Sequence, residues 1–342
     1  MGLLILTQAM DAGDPVLGFF CRWAEEFSKR CERVYVVCLK EDKHSTRQNL
    51  SVYSLGKEVG RSRIKYILRF YRYVWALRKD YDSVFVHMNQ EYVLLGGLLW
   101  FIFGKRIVLW RNHKMGSIWT RLAGAMVHTV CYTSPEAYVS KFKNAVQMPI
   151  GIDTDFFVPS GRAEPNSILF LGRLDPVKKP EVFVDALKQL NDEKIAFRAD
   201  IYGDPTNPNL SHVDKLKKQM QPLIATGVLS LHPGIPNDKT LAIYASHEIY
   251  VNLTPSGSFD KTIGEAMACR RVVVVANEVL KEVLPQELLV DHRSSVSVAS
   301  ALHKALFMSA QQKAAITEKS RKYIEDEHSL STLVTRVLKI FQ

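Results

Sequence analysis

Ser167-Ile-Leu-Phe-Leu-Gly-Arg-Leu-Asp-Pro-Val-Lys-Lys-Pro180 is an apolar block, a glycine turn and a proline placed to open a helix. Ser167–Gly172 reads as a short buried strand, and Pro180 suits the first helical position because it has no amide to lose there. Arg173, Lys178 and Lys179 stand between them, three bases within seven positions. The amino end of a helix carries partial positive charge and unpaired N–H groups, so an acid is expected there. Bases in that place point to an anion held from outside. A lone basic turn would read equally well as solvated surface.

A second stretch repeats the logic. Residues 256–269, SGSFDKTIGEAMAC, run from a small polar loop into a helix with Lys261 at its start and Glu265 in its early turns. Backbone amides at such a start suit a phosphate or sugar oxygen. The competing reading is a capping box, because Thr262-x-x-Glu265 has the required spacing. Two strand-to-helix turns with amides and added cations would neutralise a diphosphate from two sides.

Gly172-Arg173-Leu-Asp-Pro-Val-Lys-Lys179-Pro, then Ile-Tyr-Gly203, then the block from Thr254 through Lys261 to Glu265-Ala-Met-Ala resembles the carboxy-terminal half of the retaining GT-B glycosyltransferases of family 4, the group 1 glycosyltransferases. The blocks match in order and spacing over roughly a hundred residues. The resemblance implies that Arg173 and Lys179 bind a donor diphosphate. It gives the Ser258, Phe259, Asp260, Lys261 and Thr262 backbone to phosphate and sugar, and Glu265 to the nucleotide ribose. The base is expected against backbone groups near Pro233–Asn237. Many members carry an earlier glutamate eight positions before the second; here that place is Gly257, the SGS-x-DK variant of the motif. Recognition of the sugar hydroxyls must then differ, with Asp260 or a neighbouring serine as the substitute.

The rest of the chain alternates in the same way. In the first half, strands are expected near 3–8, 33–38, 83–87, 106–110, 128–132 and 145–148, with helices near 16–30, 62–79, 90–103, 117–126 and 134–141. In the second, strands are expected near 167–172, 197–203, 228–232, 248–253, 271–275 and 287–290, with helices near 180–191, 211–224, 237–245, 262–269 and 294–308. This βαβα rhythm, twice over, predicts an α/β chain of two doubly wound parallel sheets. The polar stretch Val158–Asn166 is the expected seam, so residues 1–158 and 159–326 form two Rossmann-like domains. The resemblance implies that these face a central cleft, the first binding acceptor and the second the nucleotide sugar. It also implies a last helix, about 327–342, crossing back onto the first domain.

Composition agrees with a globular chain. Of 342 residues, 47% are hydrophobic and 23% charged, and the length exceeds one comfortable core. Five scattered cysteines without C-x-x-C spacing read as reduced thiols, and neither they nor the histidines have metal-ligand spacing. No bound metal or cofactor is expected; the donor would be a UDP- or GDP-sugar. The opening MGLLILTQAM reads as a buried strand rather than a signal peptide, and the longest apolar run, Tyr92–Phe103, is too short to cross a bilayer. A cytoplasmic enzyme is expected, with peripheral attachment to the inner face of the plasma membrane as the further option.

The net charge of +10 asks for a partner. Nucleic acid is disfavoured, since no recognition motif or aromatic-basic platform is present. At 100° per residue, Arg61, Lys65, Arg69, Arg72 and Lys79 share a stripe, while Ile64, Ile67, Leu68, Phe70, Tyr71, Val74 and Trp75 fill the other side. An ordinary amphipathic helix with a solvated basic face explains this. A docking face for anionic lipid headgroups explains it too, and would suit a lipid-linked or glycan acceptor.

First-domain motifs are less specific. Asp11-Ala-Gly13-Asp14-Pro-Val-Leu-Gly18 follows the opening strand and is either a plain βα turn or a ligand-facing one, with Gly18 the best single contact. His113 follows the strand Arg106–Trp110, where α/β sites collect, and matches a family histidine in Leu109-Trp110-Arg-Asn-His113-Lys114. His87 has the same position on its strand, against a core-histidine reading, and Asp153 reads as a hinge residue.

The chemistry implied is transfer of a hexosyl unit from a nucleoside diphosphate sugar with retention and without a metal. Arg173, Lys179, Lys261 and two helix ends would stabilise the departing diphosphate, with His113, Arg173, Lys179 and Glu265 as the catalytic set. A GT-B nucleotide-sugar epimerase and a catalytically weak nucleotide-sugar-binding protein are the rival readings.

Overall fold

The computed structural model describes residues 1–14, 16–207, 211–255 and 259–342. The chain divides into two compact units, Met1–Gly151 with Pro236–Asp238 and Leu330–Gln342, and Ile152–Ile235 with Lys239–Ser329.

In the first unit, β1 (Gly2–Met10), β2 (Arg33–Glu41), β3 (Leu50–Ser54), β4 (Ser83–His87), β5 (Arg106–Trp110), β6 (Thr129–Tyr132) and β7 (Ala145–Gln147) form one sheet. Its order is β3-β2-β1-β4-β5-β6-β7, with every neighbouring pair parallel. Helices α1 (Phe19–Ser28), α2 (Arg63–Ala76), α3 (Gln90–Ile102) and α4 (Ile118–Ala125) make the crossovers. Alternation along β1 sorts its residues, Leu3 and Ile5 to a core with Phe20, Trp23 and Phe27 of α1, and Leu4 and Leu6 to a core with Phe70, Trp100 and Ala123 of α2, α3 and α4.

The second unit has β8 (Glu164–Leu171), β9 (Arg198–Tyr202), β10 (Leu229–His232), β11 (His247–Asn252) and β12 (Val272–Val275), ordered β10-β9-β8-β11-β12 and parallel throughout. Helices α5 (Pro180–Asp192), α6 (Ser211–Ala225), α7 (Thr240–Ser246), α8 (Lys261–Ala268), α9 (Ser295–Phe307) and α10 (Ala310–His328) surround it. Ile168 and Phe170 point with Ile249 and Val251 into a core closed by α5, α6 and α9. The last helix, α11 (Leu330–Ile340), belongs to the first unit, where Leu333, Val334 and Val337 join the Trp23 core. Gly151 must be glycine, because its φ is +71° and a Cβ there would stand 2.4 Å from a Leu333 methyl.

Two doubly wound sheets are therefore present, as the alternation predicts. The division falls after Gly151 rather than at 158, and the last helix starts at Leu330 rather than 327. Ile152 is tied into the second unit, its amide donating to the His328 carbonyl at 2.9 Å, and Phe157 packs edge-on against Tyr244. The helix expected over 134–141 is only a tight turn, Tyr138–Lys141, and the strand expected over 287–290 is a turn, Gln286–Leu288, with one bridge from Leu289 to Val275. Strand β3 and helix α10 were not anticipated. The basic stripe is also revised, since Arg69 turns inward to donate to the Leu55 carbonyl at 2.9 Å. Of the seven apolar residues expected beneath α2, only Phe70 and Val74 are buried.

Candidate functional site

In the second sheet the order reverses between β8 and β11, and the crevice beyond the carboxyl ends of such a pair is where open α/β sheets bind ligands. Both motif-bearing turns leave the sheet there. The first begins at Gly172, whose φ of +155° only glycine adopts readily. Gly203, after β9, lies against it so closely that a Cβ would sit 1.9 Å from the Gly172 carbonyl oxygen.

Pro180 is the first residue of α5, as expected, and Lys179 caps it in a left-handed conformation (φ 56°, ψ 43°). That backbone costs a side chain about 1–2 kcal/mol. Lys179 is half-buried, and its ammonium has no partner among the described residues. Its neighbour Lys178 is committed, donating to the Asp260 carboxylate and to Thr254 Oγ1 at 3.1 Å. Arg173 leans to the β9 side, 3.0 Å from Asp175 and 3.1 Å from Thr206 Oγ1. Burial pushes the Asp175 carboxyl up, but two hydrogen bonds from Thr206 and the Arg173 charge outweigh it, so its pKa is lowered.

The second turn ends in α8, which starts at Lys261, and its cap is Asp260, accepting from the Thr262 amide at 3.4 Å. The Thr262–Glu265 capping box is thus not formed. The Thr262 hydroxyl instead accepts from Tyr250 at 2.7 Å and from Asn252 Nδ2 at 3.1 Å. Asn252 also donates to Asp260 at 3.1 Å, and its own oxygen receives the Thr254 amide at 3.0 Å. Burial alone would raise the Asp260 pKa; the Lys178 ammonium and these donors bring it down to about 2. Its carboxylate is thereby occupied, which corrects its assignment to sugar hydroxyls. Glu265 is buried (3% exposed) and accepts from the Tyr244 hydroxyl at 2.9 Å. Phe259 packs edge-on against His328. Lys261 is half-buried at the helix start, and Ser258, with Ser256 and Gly257, lies outside the described residues.

The two turns are therefore joined through Lys178 and Asp260, with Lys179 and the amino ends of α5 and α8 at one sheet edge. Tyr250, Asn252 and Thr254 are the members that sequence reasoning did not assign, and Lys178, grouped there with the bases awaiting an external anion, is held by Asp260 instead. Two polar residues on a β-strand, Tyr250 and Asn252 at spacing two on the α8 side, were the available signal.

In the first unit the switch lies between β1 and β4. Gly18 caps α1 with its amide bonded to the Asp14 carbonyl at 3.0 Å, and a Cβ would meet two carbonyl oxygens at 2.7 Å. The glycine is needed for the turn itself, and its N–H is not offered to a ligand. His113 is exposed, with Nδ1 3.0 Å from both the amide and the carbonyl of Met115. His87 is a core residue, stacked on Phe20 with ring centroids 4.2 Å apart. Asp153 accepts from the Phe156 amide at 3.1 Å, fixing the turn that enters the second unit. Among the described residues, no group of three His, Cys, Asp or Glu is placed to hold a metal ion, and no helix is long and apolar enough to cross a membrane.

Residues 165–307 match the family model described as glycosyl transferases group 1. A D-inositol 3-phosphate glycosyltransferase of Kineococcus radiotolerans is 27% identical over 146 residues, 38% of this chain and 34% of the relative, so the matched stretch spans about a third of that protein. Among solved structures, Anabaena Alr3699/HepE in complex with UDP superposes with a TM-score of 0.75 at 16% identity, covering 99% of both chains. Sucrose-phosphate synthase of Thermosynechococcus elongatus superposes with a TM-score of 0.76 at 17% identity, covering 100% of this chain and 98% of that one. At such identities the superpositions speak for the fold, which is the GT-B-like pairing of two Rossmann-like units. The family match, confined to residues 165–307, and the relatives' names support a glycosyltransferase.

Proposed function

We propose that the chain transfers a sugar from a nucleoside diphosphate sugar to a saccharide or lipid-linked acceptor, with retention of anomeric configuration and without a metal. The observation that carries this reading is Lys179, a half-buried cation with no partner among the described residues, held on a strained backbone at the amino end of α5. Strain of this kind persists where function uses it. A diphosphate at the β8/β11 switch would meet that ammonium together with the positive dipole ends of α5 and α8. Arg173 joins by exchanging Asp175 for phosphate, and Glu265, oriented by Tyr244, takes the ribose. As the leaving diphosphate gains charge, these fixed groups stabilise it without reorganising. His113 is the proposed acceptor-side hydrogen-bonding group, and the proposed site of action is the cytoplasmic face of a membrane.

Anabaena Alr3699/HepE, which shares the fold, was solved with UDP, so UDP-sugars are the first donors to test, followed by GDP-sugars. Each is incubated with the full chain and a panel of saccharide and lipid-linked acceptors, with chelator present. Transfer is expected, and Arg173→Ala or Lys179→Ala should reduce it by two orders of magnitude or more, the scale of losing one transition-state donor, ~10²–10³. Full turnover in either variant would remove the diphosphate assignment. Epimer formed without acceptor would replace transfer by epimerisation.

A further inference from the structure

The outer side of α2, α3 and α4 is apolar where a solvent-facing layer should be polar. Ile64 is 73% exposed, Trp75 54%, Phe101 74% and Trp119 58%, and Leu68, Leu98 and Ile102 are exposed beside them. These three helices lie on one face of the first sheet, sharing its second core. Helix α2 touches α3, with Trp75 against Phe103 at 5.7 Å between ring centroids and the Tyr71 hydroxyl donating to the Leu95 carbonyl at 3.0 Å, and α3 packs in turn against α4. Exposed apolar residues scattered singly need no explanation, but a continuous layer of them does.

Along α2 and its flanks the charge is of one sign. Between Arg61 and Lys79 stand seven cations (Arg61, Arg63, Lys65, Arg69, Arg72, Arg78, Lys79) and no acid. Ile64, Leu68, Tyr71 and Trp75 form one row of α2, with Lys65 and Arg72 in the adjoining row. Arg78 folds over the Trp75 ring, 4.3 Å from its centroid. Aromatic and aliphatic tips ringed by lysine and arginine fit the boundary of an anionic bilayer, where the tips enter the acyl edge and the cations meet headgroup phosphates.

We propose that this α2–α3–α4 face docks the chain on an anionic lipid bilayer, with Ile64, Leu68, Trp75 and Phe101 inserted and Arg61, Arg63 and Lys65 on the headgroups. The surface lies within the first unit and stands independently of the donor assignment in the second. A saccharide acceptor carried on a lipid would be met at this surface.

The test uses the full chain and sedimentation with vesicles of phosphatidylcholine alone or containing phosphatidylglycerol. Binding is expected to the anionic vesicles, with a blue shift in tryptophan emission that Trp75→Ser diminishes. Replacing Arg61, Arg63 and Lys65 by Gln should lower partitioning roughly 100-fold, at ~1 kcal/mol per cation. Replacing Ile64, Leu68 and Phe101 by Ser should abolish the salt-resistant part of the binding. UDP-sugar binding, followed by calorimetry in the same proteins, should be unchanged, so loss of docking and loss of the donor site are read separately. Absence of binding to anionic vesicles, or binding indifferent to both sets of substitutions, would overturn the proposal. So would a stable dimer that the Ser variant dissolves, since the face would then belong to a second copy.

Discussion

Replacing Asp260 by Asn removes a charge while keeping a side chain able to cap α8. In the native protein this carboxylate is 15% exposed and accepts from Lys178, itself 18% exposed, as well as from Asn252 and the Thr262 amide. Its pKa falls from 3.8 to about 2 despite burial. Because the folded value is the lower one, the carboxylate stabilises the fold above pH ~4 by about 2 kcal/mol. That contribution is lost as pH falls, with about half remaining near pH ~3 and none well below pH ~2. The Asn variant should therefore be less stable than the parent by at least ~2 kcal/mol at neutral pH, approaching ~3–5 if the stranded Lys178 cannot find water. The difference should close on acidification, as the parent's own carboxyl protonates. Hydrogen exchange followed by mass spectrometry reads this locally, in peptides covering α8 and the end of β11, with β1 peptides as the internal control. A difference that is absent at neutral pH, or that persists undiminished at pH ~2, would refute the assignment of Asp260 to Lys178.

Lys179→Gly should relieve the left-handed backbone at the start of α5 and raise thermal stability by about 1 kcal/mol, while losing nucleotide-sugar binding. A destabilised variant, or one that binds as before, would contradict the strain reading. Asp200 is buried and accepts from His232 at 2.6 Å, from His247 at 3.1 Å and from Arg198 at 3.1 Å. Burial raises its pKa, but the two histidines and Arg198 bring it below the ordinary value, so its stabilising effect is present at neutral pH and lost in acid. Asp200→Asn should cost about 3–5 kcal/mol in urea unfolding at neutral pH, and a cost below ~0.5 kcal/mol, the surface-substitution range, would show the cluster to be unimportant.

The fold was legible because parallel strands buried on both faces are nearly continuous apolar blocks, as in Ile168–Leu171 and Val272–Val275, punctuated by glycine and proline. What escaped lacked that signal. Strand β3, Leu-Ser-Val-Tyr-Ser, sits at the sheet edge and is half polar. Helix α10 has only Thr317, Ser320 and Ile324 buried along nineteen residues, so it shows no apolar stripe. Periodicity identified the apolar side of α2 but not whether anything covers it, because coverage belongs to tertiary packing rather than to the helix. At the site, charge and spacing alone leave Lys178 and Lys179 equivalent, and only the family resemblance favours Lys179. The left-handed turn at Lys179 separates them, sending Lys178 to Asp260 and leaving Lys179 for a ligand. Spacing likewise suggested that Thr262 caps α8, whereas Asp260 does so and frees the Thr262 hydroxyl for Tyr250.

A crystal structure with a nucleoside diphosphate soaked or co-crystallised is the most direct test. The account predicts phosphate oxygens within ~3 Å of Lys179 Nζ and of backbone amides opening α8, with Lys178 still on Asp260. Phosphate bound elsewhere, with the Lys179 side chain left in solvent, would contradict it.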